Sequence, residues 1–316
     1  MMKNKKAIEM SFNWIFSIIV GAVIIFIAIY ATVKIVGVSE YQIYTESASK
    51  IESLLDPIRP GLAEGKYINL NFKKDTRLYF TCTDVGNFGK QTISFSEKTF
   101  SDWTEKGGLI NTQKYVFSRE ILEGKSIYLF SMPFDMPFKI DDLIMIGNEN
   151  YCFIQAPNKV IEDIKGLGMD KVYFAESSGD ENCTGKKVCF NSQCDIRVYG
   201  MCENSNCDPY EYGKVIKEGK SLYYNSNLLY AAIFSSPAMY DCNVKRLMKR
   251  FYSLGEIYNG KIGITKAQGC DLDIELKLSN MMNSAKNLNS SQDLYLLSQD
   301  AEELNTQNSA SACKLW

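Results

Sequence analysis

The sequence predicts an α+β fold. It comprises a long N-terminal transmembrane/stalk helix, an antiparallel β-rich ectodomain with a cysteine-dense insert, and C-terminal helices. Three observations predict it. An uncharged apolar run lies next to the N-terminus, and short β-branched and aromatic runs follow between turn formers. Helical periodicity then takes over toward the C-terminus.

Composition narrows the functional classes. The 316 residues accommodate two ordinary domains, or one large domain plus an anchor. A hydrophobic content of 46% with 7 prolines describes a folded chain. Net charge is only -2 and the basic residues are scattered, so nucleic acid is not an expected partner. Histidine is absent, which excludes a Ser-His-Asp triad, a Cys-His dyad, a His-based zinc site and a histidine pH switch.

The first element is the anchor. Met10 to Val33 carries no charge, and at about 1.5 Å per residue it makes roughly 36 Å of helix, enough for a hydrocarbon core of about 30 Å. Trp14 and Tyr30 stand near its ends, where amphipathic rings favour the interface. Lys3, Lys5 and Lys6 precede the run, and Glu40, Glu46 and Glu52 follow it, so the positive-inside rule puts the N-terminus in the cytoplasm. The expected organisation is a cytoplasmic basic leader (1–9), a transmembrane helix whose partner is the lipid bilayer (10–36) and a stalk helix (37–60). A β-rich domain (61–181), a cysteine-rich insert (182–212) and a helical C-terminal part (213–316) follow. The ectodomain lies outside the cell.

The stalk follows from one stripe. Tyr41, Tyr44, Ala48, Ile51, Leu55 and Ile58 recur at helical spacing, and Pro57 and Pro60 stop the helix near Asp56. The stripe packs on the chain's own domain, or serves self-association or a membrane-protein partner. From Tyr67 the texture turns to strands, among them R-L-Y-F-T-C (77–82), S-I-Y-L-F-S (126–131) and Y-C-F-I-Q-A (151–156), separated by residues such as Asn87, Gly89 and Gly124. Met132–Phe138 holds two prolines and reads as an edge or loop. Four helices are expected near 227–235, 237–258, 271–287 and 291–305, with Pro237 placed for a first turn.

The 10 cysteines are Cys82, Cys152, Cys183, Cys189, Cys194, Cys202, Cys207, Cys242, Cys270 and Cys313. An even set, absent from the anchor, suggests disulfides in an oxidising compartment. Cys189/Cys194 and Cys202/Cys207 each bracket a turn-like stretch and would staple hairpins. Cys82 and Cys152 lie in apolar strands and suit a cross-sheet bridge. One pair among Cys242, Cys270 and Cys313, with the third joined to Cys183, completes the count. The spacing of the four central cysteines also lies within the range of a structural zinc site, the competing reading.

No other motif supplies a cofactor, a metal or a catalytic residue. Asp180, Asn182, Thr184 and Gly185 match half of an EF-hand loop, but Asn191 stands where a bidentate Glu is required. Gly166-Leu167-Gly168 lacks the third glycine of a dinucleotide fingerprint. Paired carboxylates or a Ser–Lys pair would need no histidine, yet nothing selects a pair. Lys245, Arg246, Lys249 and Arg250 read as the solvated face of a helix. Asn182-Cys-Thr and Asn289-Ser-Ser are glycosylation sequons on the expected outer side, Asn289 lying between helices.

Lys5-Lys6-Ala7, followed by Ile8-Glu9-Met10-Ser11-Phe12 and a helix ending near Asp56, resembles the N-terminus of type IV pilin-like proteins, archaeal ones in particular. The resemblance covers the first 60 residues or so. It implies leader cleavage after Ala7 and a helix whose second half packs on a β-rich head. Glu9 stands at the second mature position rather than the fifth, and the head is larger than in most major pilins, which fits a minor or pilin-like surface subunit. The expected function is a non-enzymatic surface role in adhesion or envelope assembly. The alternatives are a membrane-tethered extracytoplasmic enzyme or solute-binding domain, and an accessory subunit of a membrane complex.

Overall fold

A computed structural model describes residues 14, 16–32, 51, 67–177, 179–201, 210–269 and 273–316. The chain divides into two units, Met1–Lys50 and Ile51–Trp316.

In the first unit residues 16–32 are helical. Apolar side chains such as Phe16, Ile24, Phe26 and Tyr30 are exposed along it. The transmembrane/stalk helix of the predicted fold class does not stand: among the described residues no helix is long and apolar enough to cross a membrane. The reason is length. The described run measures roughly 25 Å at about 1.5 Å per residue, against about 30 Å of hydrocarbon. Of the stalk expected over 37–60 only Ile51 is described, helical and buried. The rest of it, and the leader with Ala7, lie outside the described residues.

The second unit holds two sheets. The first contains β1 (Ile68–Thr83), β2 (Lys90–Thr99), β3 (Asp102–Trp103), β4 (Gly107–Thr112), β5 (Tyr115–Phe117), β6 (Ile121–Asp135) and β7 (Lys139–Gly147). Its order is β3-β2-β1-β6-β7-β5, with β4 paired to β2. Period-two alternation builds its core face: Thr76, Leu78 and Phe80 on β1 are buried, as are Gln91, Ile93 and Phe95 on β2. Pro133 falls within β6, beyond the stretch that β1 pairs, so its missing N–H costs no ladder bond on that side.

The second sheet contains β8 (Tyr151–Ile154), β9 (Val172–Ala175), β10 (Lys186–Phe190), β11 (Ile196–Gly200), β12 (Tyr212–Lys217) and β13 (Lys220–Asn225). Its order is β13-β12-β11-β10-β8-β9. Here the expectation of an antiparallel domain is corrected. β8 runs parallel to both β9 and β10, and β10 parallel to β11. Parallel neighbours need a crossover, and α1 (Asn158–Gly166) supplies the one from β8 to β9.

Residues 182–212, expected as an insert, instead provide β10 and β11 in the middle of this sheet. Val188, Phe190, Ile196 and Val198 alternate onto its buried face, so residues 186–200 are core sequence rather than an appended loop. The return from β10 to β11 is short for a parallel pair.

The helices follow as α2 (Leu228–Phe234), α3 (Pro237–Ala267), α4 (Glu275–Lys286) and α5 (Leu294–Ala310). Every residue of α2 is buried, and it packs on β7 of one sheet and on β12 and β13 of the other. Leu228, Ile233 and Phe234 each contribute on the order of 2 kcal/mol by burial. The Phe234 ring meets Phe130 edge-on at 5.1 Å and Tyr151 at 4.6 Å. α3 opens on Ser236, whose side chain accepts from the Met239 N–H, with Pro237 in its first turn. It buries Tyr240, Asn243, Val244, Leu247 and Phe251.

Candidate functional site

Two buried cations dominate the polar chemistry of the body. The first is Arg246, on the core-facing side of α3 and fully buried. Its Nε donates to the Phe88 carbonyl at 3.2 Å, and Nη2 to the Gln113 carbonyl at 3.0 Å. Nη1 reaches the Asn243 Oδ1 at 2.7 Å, the Lys114 carbonyl at 3.0 Å and the Gln91 Oε1 at 3.3 Å. The Tyr115 ring lies 4.9 Å from the guanidinium carbon. Gln91 and Asn243 both donate to the Val116 carbonyl, so one amide network ties α3, β2 and β5. Gly89 must be glycine here. It holds a positive φ of 61°, and a Cβ would lie 2.4 Å from the Thr83 oxygen and 2.7 Å from the Arg246 Cγ.

The second is Lys217, the last residue of β12. Alternation puts Gly213, Val215 and Lys217 on the core face, and Lys217 is 7% exposed. The φ-positive turn Glu218-Gly219 folds the chain back into β13. Lys217 Nζ donates to the Ile233 carbonyl at 2.9 Å and to the Ser235 carbonyl, at the C-terminal end of α2. Burial pulls its pKa from 10.5 down to about 7; Glu218 opposes the shift, while Lys186 and Arg119 add to it.

Lys217 faces a cavity of about 220 Å³. Arg119, Tyr151, Lys186, Asp195 and Ser235 line it as well. The site therefore gathers the beginnings of β8 and β10, the end of β12 and the end of α2. Beside it the Glu149 carboxylate holds Arg119 Nη1 at 2.6 Å and Lys186 Nζ at 2.9 Å. Burial, then Glu149, raises the Tyr151 pKa, so this phenol stays protonated. A second cleft, between Asp163 and Tyr230, has a volume of about 20 Å³, room for a single water. Of these two, the Lys217 cavity is the larger.

Six of the described cysteines form three bridges. Cys82 joins Cys242, Cys152 joins Cys183 and Cys189 joins Cys194. Cys82 is therefore not bridged to Cys152, because strand β1 lies in the first sheet under α3 while Cys152 lies in the second. Cys183 pairs within the second sheet rather than with the helical part. The last two bridges meet in a small buried cluster with Ile154 and Ala175. Cys189–Cys194 closes the loop between two parallel strands, not a hairpin. Cys313 is bonded too, and Cys202, Cys207 and Cys270 lie outside the described residues. Bonded sulfurs do not serve as thiolate ligands, and among the described residues no cluster of His, Cys, Asp or Glu is placed to hold a metal ion.

The remaining candidates disperse. Asn182 and Asn289 are both exposed. Ser291, the sequon hydroxyl of Asn289, is buried and accepts from the Tyr223 N–H. Asp180 is spent within its own turn, accepting from the Asn182 N–H and the Tyr173 hydroxyl. Gly166 and Gly168 end α1, whereas a phosphate would need a helix N-terminus. The basic stretch on α3 is not a solvated face, since Arg246 is core and Lys249 donates to the Asp84 and Gly86 carbonyls. Sequence reasoning missed Lys217 and misplaced Arg246. The only signal for Lys217 was its parity with Val215 once a strand is drawn there. Compared with known proteins, the chain matches no family model, no curated protein and no solved structure.

Proposed function

We propose that the chain is a non-enzymatic surface protein whose disulfide-bonded body lies outside the cytoplasm and whose apolar N-terminal segment is held by lipid. The observation that carries this reading is the cysteine chemistry. Three bridges join cysteines of the body, and among the described residues no cysteine is free. Such bonds persist in oxidising compartments and are rare where glutathione and thioredoxin keep thiols reduced.

The N-terminal segment supports the lipid part. Ile18, Ile19, Ile24, Ile25, Phe26 and Ile27 lie on all sides of the helical run and each is more than half exposed. A helix apolar all round is stable only when an apolar medium covers it. Adhesion or envelope assembly is the role that a lipid-held, cross-linked body serves without a catalytic constellation. In its pilin-like form the reading places the mature N-terminus at Ile8.

Labelling intact cells with a membrane-impermeant amine reagent tests it. The expected result is labelled protein recovered with the membranes. Label that appears only after lysis, or protein that fractionates as soluble, overturns it.

A further inference from the structure

The polar contacts of Lys217 have a stoichiometry of their own. A neutral amine has two N–H bonds and one lone pair, whereas an ammonium has three N–H bonds and none. Among the described residues the Nζ finds two acceptors, the carbonyls of Ile233 and Ser235. Both N–H bonds of a neutral amine are thereby satisfied, and its lone pair is left for the cavity. Five charged groups surround it: Arg119 and Lys186 on one side of the balance, Glu218, Asp195 and the adjacent Glu149 on the other. None of the three acids makes a hydrogen bond to the amine. With both signs present, the lining suits an uncharged polar ligand.

We propose that this cavity is a carbonyl-capture site, in which the Lys217 amine forms an imine with a small aldehyde or ketone. The nitrogen lone pair attacks the carbonyl carbon, a C–N bond forms, and the C=O π pair moves onto oxygen. One amine proton passes to that oxygen to give a carbinolamine. The second N–H proton and the hydroxyl then leave as one water, and the C=N bond remains. No oxidant or reductant is consumed. A cavity of about 220 Å³ equals about seven waters at roughly 30 Å³ each, so the ligand has few carbon atoms. The acidity that burial imposes on Lys217 supplies the free base near neutral pH.

The test uses the whole chain, acetaldehyde as the probe and sodium cyanoborohydride to fix the imine as an N-ethyl group, followed by peptide mass spectrometry. At pH 7 an amine titrating near 7 has a roughly thousand-fold larger neutral fraction than an ordinary lysine. Lys217 is therefore expected to carry the dominant adduct, and its lead over surface lysines is expected to shrink as pH rises toward 10. The Lys217→Arg variant loses that adduct and keeps the surface background. If surface lysines are ethylated at pH 7 while Lys217 stays unmodified, the residue is only a helix cap and the proposal fails. The wild-type map alone decides this should the variant not fold.

Discussion

Arg246 and Lys217 are both cations buried against amide and peptide oxygens, yet the protein treats them in opposite ways. Around Arg246, α3 and the first sheet bring five acceptors to one guanidinium. Burial lowers its pKa, but an arginine starts too high to lose its proton. Around Lys217 the second sheet and α2 bring two acceptors and a cavity. That amine can shed its charge and does so near neutrality. The number of acceptors a site supplies decides whether a buried charge is kept as a fastener or released as a base. The disulfides differ in parallel. Cys82–Cys242 fastens α3 to β1 across 160 residues of sequence, while Cys189–Cys194 spans 5.

The largest expected effect lies on the first-sheet side. Loop-closure entropy assigns the longer bridge about 5 kcal/mol and the shorter about 2 kcal/mol. Replacing Cys82 and Cys242 together by Ser should therefore lower unfolding free energy in guanidinium well beyond the Cys189/Cys194 pair of substitutions. Equal losses would break the comparison.

Next comes Arg246→Ala, which strands the Gln91 and Asn243 amides and three peptide carbonyls. A loss of about 3–5 kcal/mol is expected, with little rescue by Lys, whose three donors cannot serve five acceptors. Equilibrium denaturation reads both variants. A loss near zero would mean that the network is ornamental.

The smallest effect is a slope. Between about 7 and 10.5 the folded Lys217 is neutral while the unfolded one stays protonated. The unfolded state binds more protons there, so stability rises with pH, by up to about 1.4 kcal/mol per unit. Lys217→Met should lack this rise, and the difference between the two proteins isolates it from tyrosine titration above pH 10. Parallel pH profiles would assign Lys217 an ordinary pKa.

What the sequence made legible was local. Leu78 and Phe80 alternate, as do Ile93 and Phe95, and Pro237 marks the start of α3; each follows from side-chain direction or a missing N–H. The pairing of strands was not legible, because parallel and antiparallel neighbours bury the same residue types, and so the sequence predicts an antiparallel domain where the second sheet is mixed. Cys189 and Cys194 looked like loop residues because five residues separate them, although Val188 and Phe190 beside Cys189 belong to the core. Arg246 and Lys217 were illegible for one reason: a buried cation is marked by its acceptors, and those come from Phe88, Gln113, Ile233 and Ser235, distant or unremarkable in sequence. The predicted membrane-crossing helix does not stand among the described residues, where the helical run 16–32 is too short to cross a membrane.

A peptide map of the native protein under non-reducing conditions, with thiols blocked at the moment of lysis, tests most directly the claim of a cross-linked body outside the cytoplasm. The account predicts joined peptides for Cys82–Cys242, Cys152–Cys183 and Cys189–Cys194. Recovery of those six cysteines as blocked thiols would contradict it.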